Sequence, residues 1–182
     1  MKQLSFLPEE MPEGFSYLPD FISSIEELQL MSFFQTLKWE DIHMHGVIAK
    51  RKVVHYGYGY EYDSRSLTPG SPIPSELNFL LPRVAKALDV RQADIGEVLV
   101  TYYPEGSQIG WHRDAPMFES LLGISLDAAC LLKLKEGQDK FQHELEPRSA
   151  YTLQGIARWE WQHHIPPVKS PRYSVTLRTL KK

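Results

Sequence analysis

The chain has a single cysteine in 182 residues, Cys130. That excludes an internal disulfide and any zinc cluster built from several thiolates. Cys130 lies in the apolar stretch "DAACLLKL", which predicts a buried structural thiol rather than a reactive one. No apolar run is long enough to span a bilayer. The opening "MKQLSFLPEEMPEGF" lacks the basic start, apolar middle and small-residue cleavage site of a secretory signal. A reducing, cytoplasmic setting without a membrane partner is the expectation. A large charge of one sign is missing too, since the formal net charge is −3. This argues against a histone-like coat for nucleic acid. The charge is uneven, however. Residues 1–41 carry eight acids and two bases, and from Lys169 onward there are five bases and no acid. A locally basic surface can hold a phosphate backbone even when the total is near neutral; a solvated tail would look the same. Neither an internal repeat nor a low-complexity segment is present.

With 42% hydrophobic residues, the length fits one domain with a real core and a monomeric protein. Residues 1–16, extending to about 20, read as an irregular arm rich in Pro and Glu. "SSIEELQLMSFFQTLKW" reads as a helix capped by Ser23 or Ser24, with Glu26 or Glu27 three residues on. Leu28, Met31 and Leu37 supply its apolar spacing. "GVIAKRKVVHYGYGYEY" turns β-like, "LTPGSPIP" reads as a loop, and "SELNFLLPRVAKALDV" returns to helix with a kink or break at Pro82. From about residue 95 to 180, short segments such as "GEVLVTYY", "QIGWHRD", "RWEWQHHI" and "RYSVTLRTL" predict a β core of sandwich or barrel type.

Alternation along these strands assembles a candidate site. In "WHRD", parity places His112 and Asp114 on one face. In "RWEWQHHI", it groups His163 with Trp159 and Trp161, and leaves His164 with Arg158, Glu160 and Gln162. Two histidines and a carboxylate suit a first-row metal and leave coordination positions open; zinc hydrolysis uses open sites as well. In "RYSVTLR", Arg172, Ser174, Thr176 and Arg178 share one face. A guanidinium kept from water needs an anion, and a dicarboxylate would provide one. An edge strand with solvated arginines is the simpler alternative.

The order H-x-D, a later His, then Arg172 and Arg178, together with "VLVTYYPEG", "IGWHRDAP", "LEPRSAYTLQG" and "RYSVTLRTL", resembles the AlkB family of iron(II)- and 2-oxoglutarate-dependent dioxygenases. The resemblance implies an α+β protein with a double-stranded β-helix (jelly roll) core, N-terminal helices packed on the major sheet, and a β-hairpin substrate lid at about 46–70. It implies Fe(II) on His112, Asp114 and His163. It implies 2-oxoglutarate held by Arg172 and Tyr103, with Thr101, Ser174 and Arg178 nearby, the last also close to Asp114 and the substrate. Tyr56, Tyr60 and Tyr62 would form the lid, with Arg51 and Lys52 at its base. Thr101 stands where the family often has Asn, and Pro116 where repair members carry an acid. The activity implied is O2-dependent demethylation of N-alkylated nucleobases in single-stranded or flipped-out DNA or RNA. Such alkylation repair yields formaldehyde, succinate and CO2, with ascorbate as the in-vitro reductant. Oxidation of a protein side chain, or a non-catalytic cupin-like binding module, are the alternatives.

Overall fold

The computed structural model describes residues 10–44, 46–61 and 66–182. Two antiparallel sheets face each other. The larger contains β1 (Phe15–Leu18), β2 (Glu40–Met44), β3 (Val47–Glu61), β4 (Ser66–Pro69), β5 (Ile95–Tyr103), β7 (Phe118–Leu126), β10 (Ala150–Leu153) and β12 (Arg172–Leu180). Its order is β1-β10-β7-β12-β5-β3-β2, with β4 paired to β3. The smaller sheet is β6 (Ile109–His112), β11 (Gln162–Ile165), β8 (Cys130–Glu136) and β9 (Asp139–Leu145), in the order β6-β11-β8-β9. This is the expected jelly roll.

Among the described residues three α-helices accompany the sheets: α1 (Ser24–Phe34), α2 (Leu80–Leu88) and the short α3 (Gly155–Trp159). Ser23 and Glu26 form a reciprocal capping box at the start of α1, satisfying two backbone donors that a helix end leaves open. Glu26 also binds Arg83 of α2 at 2.5 and 2.9 Å, tying the helices together. Ser23→Ala should cost about 1 kcal/mol in urea unfolding, while Ser23→Asp retains the cap. No measurable loss in the alanine variant would show the cap to be redundant.

The outer face of the large sheet packs on these helices. Leu30 and Phe34 of α1 and Leu80, Val84 and Leu88 of α2 meet Val98, Val100, Val175 and Leu177. A second core inside the roll joins Phe15, Tyr103, Leu121, Cys130, Leu132, Leu134 and Phe141. Burial raises the Cys130 thiol pKa, in keeping with a structural role.

Several local expectations need correction. Leu28 is 68% exposed, and the buried face of α1 is Leu30 with Phe34. The N-terminal arm becomes strand at Phe15, whose side chain is buried and whose backbone pairs with Leu153. Pro82 neither kinks nor breaks α2. It falls in the first turn, where its missing N–H would have had no helical partner. Residues 67–69 of the expected loop belong to β4, and "RWEWQHHI" splits into the end of α3 and the strand β11. Strands β2 and β9 carry mostly polar side chains and show little apolar alternation. The end of β3 pairs antiparallel with β4, Tyr58 with Pro69 and Glu61 with Ser66. Gly57, at φ +79°, is where β3 leaves β5 and turns to pair with β4, a backbone conformation suited to glycine.

Candidate active site

His112 ends β6 and pairs directly with His163 on β11, so register alone brings the two rings to a 4.1 Å centroid separation. Asp114 is two residues past the end of β6, so strand parity is not what orients it. A buried arginine does that work. Nη2 of Arg158, on α3, donates to the carbonyls of Asp114, Ala115 and Phe118 at 2.8–3.2 Å. That clamp folds the 113–117 turn back toward the histidines. Trp159 and Trp161, grouped with His163 by parity, do not share its strand.

The ligand atoms of His112, Asp114 and His163 all lie within 4.8 Å of one another. Asp114 Oδ1 is 3.5 Å from His112 Nε2 and 3.4 Å from His163 Nε2. Its Oδ2 instead accepts from Arg178 Nε at 2.7 Å. The carboxylate therefore offers one oxygen inward while the other is held. His112 Nδ1 is 2.8 Å from the Gly110 carbonyl. Donation there leaves Nε2 as a lone pair, the usual way a second partner fixes a metal-binding imidazole. Burial alone would raise the Asp114 carboxyl, but the Arg178 guanidinium outweighs it and holds it well below the usual carboxylate range. Burial lowers His163 despite the opposing Asp114 contact, which favours the neutral ring a cation needs. His164 points elsewhere: its Nδ1 is 2.5 Å from the Ile109 carbonyl and its ring lies against Trp111.

β12 runs between β5 and β7, and its register builds the neighbouring cluster. Arg172 stands opposite Tyr103, Ser174 opposite Thr101, and Arg178 opposite Glu97. The arginine face points inward, as alternation predicts, so the edge-strand alternative is excluded. Arg172 is 1% exposed. Its guanidinium stacks over the Tyr103 ring at 4.8 Å and donates through Nη2 to Ser125 Oγ at 2.9 Å. Among the described residues, its buried Nε and Nη1 have no hydrogen-bond partner. A buried charge with two unused donors calls for an anion.

These groups share one cavity of about 280 Å³, whose lining includes Thr101, Tyr103, His112, Asp114, His163, Arg172, Ser174 and Arg178. Arg51 lines it as well. Its neighbours on β3 divide by parity: Val53 and His55 face the cavity, whereas Tyr56 packs against the helix-side core. Tyr56 is thus not at the cavity as expected, because its strand position points the other way. Lys52 pairs with Asp41 at 3.5 Å and does not line the cavity. Tyr60 is described only as a backbone position opposite Leu67, and Tyr62 lies outside the described residues.

Sequence reasoning missed Arg158, Ser125, Glu97 and His55. Glu97 is 1% exposed. It accepts from Arg178 Nη1 on one oxygen, and its other oxygen is 2.9 Å from His55 Nδ1. A signal for it exists: Glu97 shares the parity of Thr101 and Tyr103 in an otherwise apolar run.

The donor set fits the chemistry of a redox-active first-row cation, and the unused donors of Arg172 fit a carboxylate. A family model described as the 2OG-Fe(II) oxygenase superfamily matches residues 14–179. The chain is 27% identical, over 92% of its length, to the "Alkylated DNA repair protein ALKBH8 homolog" of Arabidopsis thaliana, and spans 58% of that protein. It is 25% identical, over 90% of its length, to "tRNA (carboxymethyluridine(34)-5-O)-methyltransferase alkbh8" of Xenopus tropicalis, of which it spans 27%. The fold is shared with the structure of OsALKBH1, at a TM-score of 0.75 and 14% identity, covering 93% of this chain and 98% of that one. Ligand chemistry, jelly-roll architecture and family match agree that this chain belongs to the 2OG-Fe(II) oxygenase superfamily, whose cofactors are Fe(II) and 2-oxoglutarate, with O2 as the oxidant.

Proposed function

We propose that the chain oxidises an alkylated nucleobase in DNA or RNA, removing an N-methyl group as formaldehyde. In this reading His112, Asp114 and His163 hold the iron, and Arg172 holds the far carboxylate of 2-oxoglutarate. The observation that carries it is the shared cavity. A His–Asp–His cluster and a buried arginine with two unused donors meet in one space. Iron on His112, Asp114 and His163, with 2-oxoglutarate on Arg172, would supply the oxidising power that converts 2-oxoglutarate and O2 to succinate and CO2 and hydroxylates the methyl carbon. The resulting hemiaminal splits into formaldehyde and the free N–H.

The remaining work belongs to the protein. Arg178 holds Asp114 so that a single oxygen faces the cation. Tyr103 packs beneath the Arg172 guanidinium and limits its movement, while Thr101 and Ser174 offer hydroxyls on the neighbouring strand positions. The base must leave its stack to reach this depth. The β3–β4 pair is the lid in this reading, with Arg51 at the cavity to meet a phosphate. The relatives' names, which speak of alkylated DNA and of tRNA, support a nucleic-acid substrate.

The test measures succinate from 2-oxoglutarate with Fe(II) and ascorbate, with and without single-stranded oligonucleotides carrying methylated bases. Formaldehyde rising in step with succinate is the expected result. Succinate made without any substrate-dependent formaldehyde would reject nucleobase demethylation and direct the search to methylated peptides.

A further inference from the structure

Glu97 is a carboxylate with no part in the roles given so far. It lies on β5 and is 1% exposed. Burying a carboxylate costs stability unless it is paired, so its place in an otherwise apolar strand calls for a reason. Burial alone would raise its pKa, but the Arg178 guanidinium outweighs this and keeps it below the usual range. Glu97 is therefore an anion.

Strand register supplies its partners. On the β12 side Glu97 stands opposite Arg178, and on the β3 side opposite Gly57, which has no side chain. His55 reaches in from the diagonal position on β3, with Nδ1 2.9 Å from Glu97 Oε1. Oε2 accepts from Arg178 Nη1. Both oxygens are committed, so the carboxylate is held between the two strands.

Arg178 is held in turn. Its Nε donates to Asp114 Oδ2 at 2.7 Å, and its guanidinium lies over the Phe118 ring at 5.3 Å. A guanidinium facing a single carboxylate commonly takes both oxygens through two parallel bonds. On Asp114 that pairing would engage Oδ1, the oxygen 3.5 Å from His112 Nε2 and 3.4 Å from His163 Nε2. A cation held by the three side chains needs that oxygen. The guanidinium is planar and its donor directions are fixed. Anchoring Nη1 on Glu97 therefore limits Arg178 to its one bond with Asp114.

We infer that Glu97 is a positioning residue of the metal site: it restrains Arg178 to one oxygen of Asp114 and leaves the other free for the cation. The inference rests on the ligand assignment made above. Without Glu97, Arg178 has one buried anion left and closes on it with a second donor. The surroundings of the site also lose a negative charge. Both changes oppose a divalent cation, and neither opposes an anion on Arg172.

The test measures two affinities under anaerobic conditions, that of Co(II) from its visible bands and that of 2-oxoglutarate at saturating Co(II). A dissociation constant is insensitive to the fraction of folded protein, which the stoichiometry reports separately. Glu97→Leu should weaken Co(II) binding about 10–100-fold, as loss of an outer partner does. Glu97→Gln, which keeps an acceptor for Nη1 without the charge, should fall between the leucine variant and wild type, and carries the test alone if the leucine variant does not fold. In both, 2-oxoglutarate should bind no more weakly than to wild type. Co(II) affinity within about threefold of wild type in the folded variants overturns the inference and leaves the ligand assignment intact. An equal loss of Co(II) and 2-oxoglutarate affinity marks general damage to the roll and overturns it as well. Failure of the wild-type chain to bind stoichiometric Co(II) overturns the ligand assignment and the inference together.

Discussion

His163→Ala abolishes stoichiometric Fe(II) binding, whereas His164→Ala retains most of it. The two residues are adjacent in sequence and opposite in environment. His163 is 8% exposed, and its Nε2 lies 3.4 Å from Asp114 Oδ1. His164 turns to the Ile109 carbonyl and to Trp111 on the other side of β11. Removing one of three protein ligands should weaken the site beyond the ~10–100-fold typical of losing an outer partner. Metal content after dialysis and the visible spectrum of a Co(II) form would both report it. Wild-type metal content in the His163 variant, with loss in the His164 variant, would mean that the ligand set is wrong. Asp114 should be as sensitive as His163, and its loss also strips Arg178 of a partner.

Arg172→Ala raises the 2-oxoglutarate requirement about 100-fold or more while leaving metal binding in place. The expectation rests on two buried donors, Nε and Nη1, that no described protein group satisfies. A charge-assisted hydrogen bond contributes about 1.5–3 kcal/mol, so two of them reach that factor. The same geometry predicts an asymmetry in stability. Without cosubstrate, Arg172 is a buried charge held by one neutral hydroxyl and a ring face. Its removal should therefore cost the ligand-free protein little. Adding 2-oxoglutarate with a divalent metal should raise the Tm of the wild-type chain through linkage, and this increment should shrink sharply in the variant. Titration calorimetry and thermal unfolding give the two readouts. Unchanged 2-oxoglutarate affinity would place the dicarboxylate elsewhere in the cavity.

Much of this site is legible in the amino-acid sequence, for a specific reason. β12 is regular from Arg172 to Arg178, so alternation correctly puts Arg172, Ser174, Thr176 and Arg178 on the inner face. His112 and His163 sit on short strands that face one another. At Asp114, parity reaches the right residue by the wrong route. The strand has ended there, and three hydrogen bonds from Arg158 set the turn. Tyr56 fails for a related reason. An aromatic-rich stretch draws attention to its tyrosines, but the cavity side of β3 belongs to Arg51, Val53 and His55.

The sequence by itself determined the capped first helix, the β core after about residue 95, the buried thiol and the residue types of the candidate site. These follow from local periodicity, capping chemistry and the cost of burying charge, all of which act within a few residues. Tertiary structure alone decided which of those residues meet. It paired Arg178 with Glu97, 81 positions away, and brought Arg158 under a turn 44 positions earlier. It also turned His55 toward the cavity and Tyr56 away from it. Strand register and sheet order make these choices, and both are fixed only when the whole roll closes, because a shift of one residue would reverse every inward face.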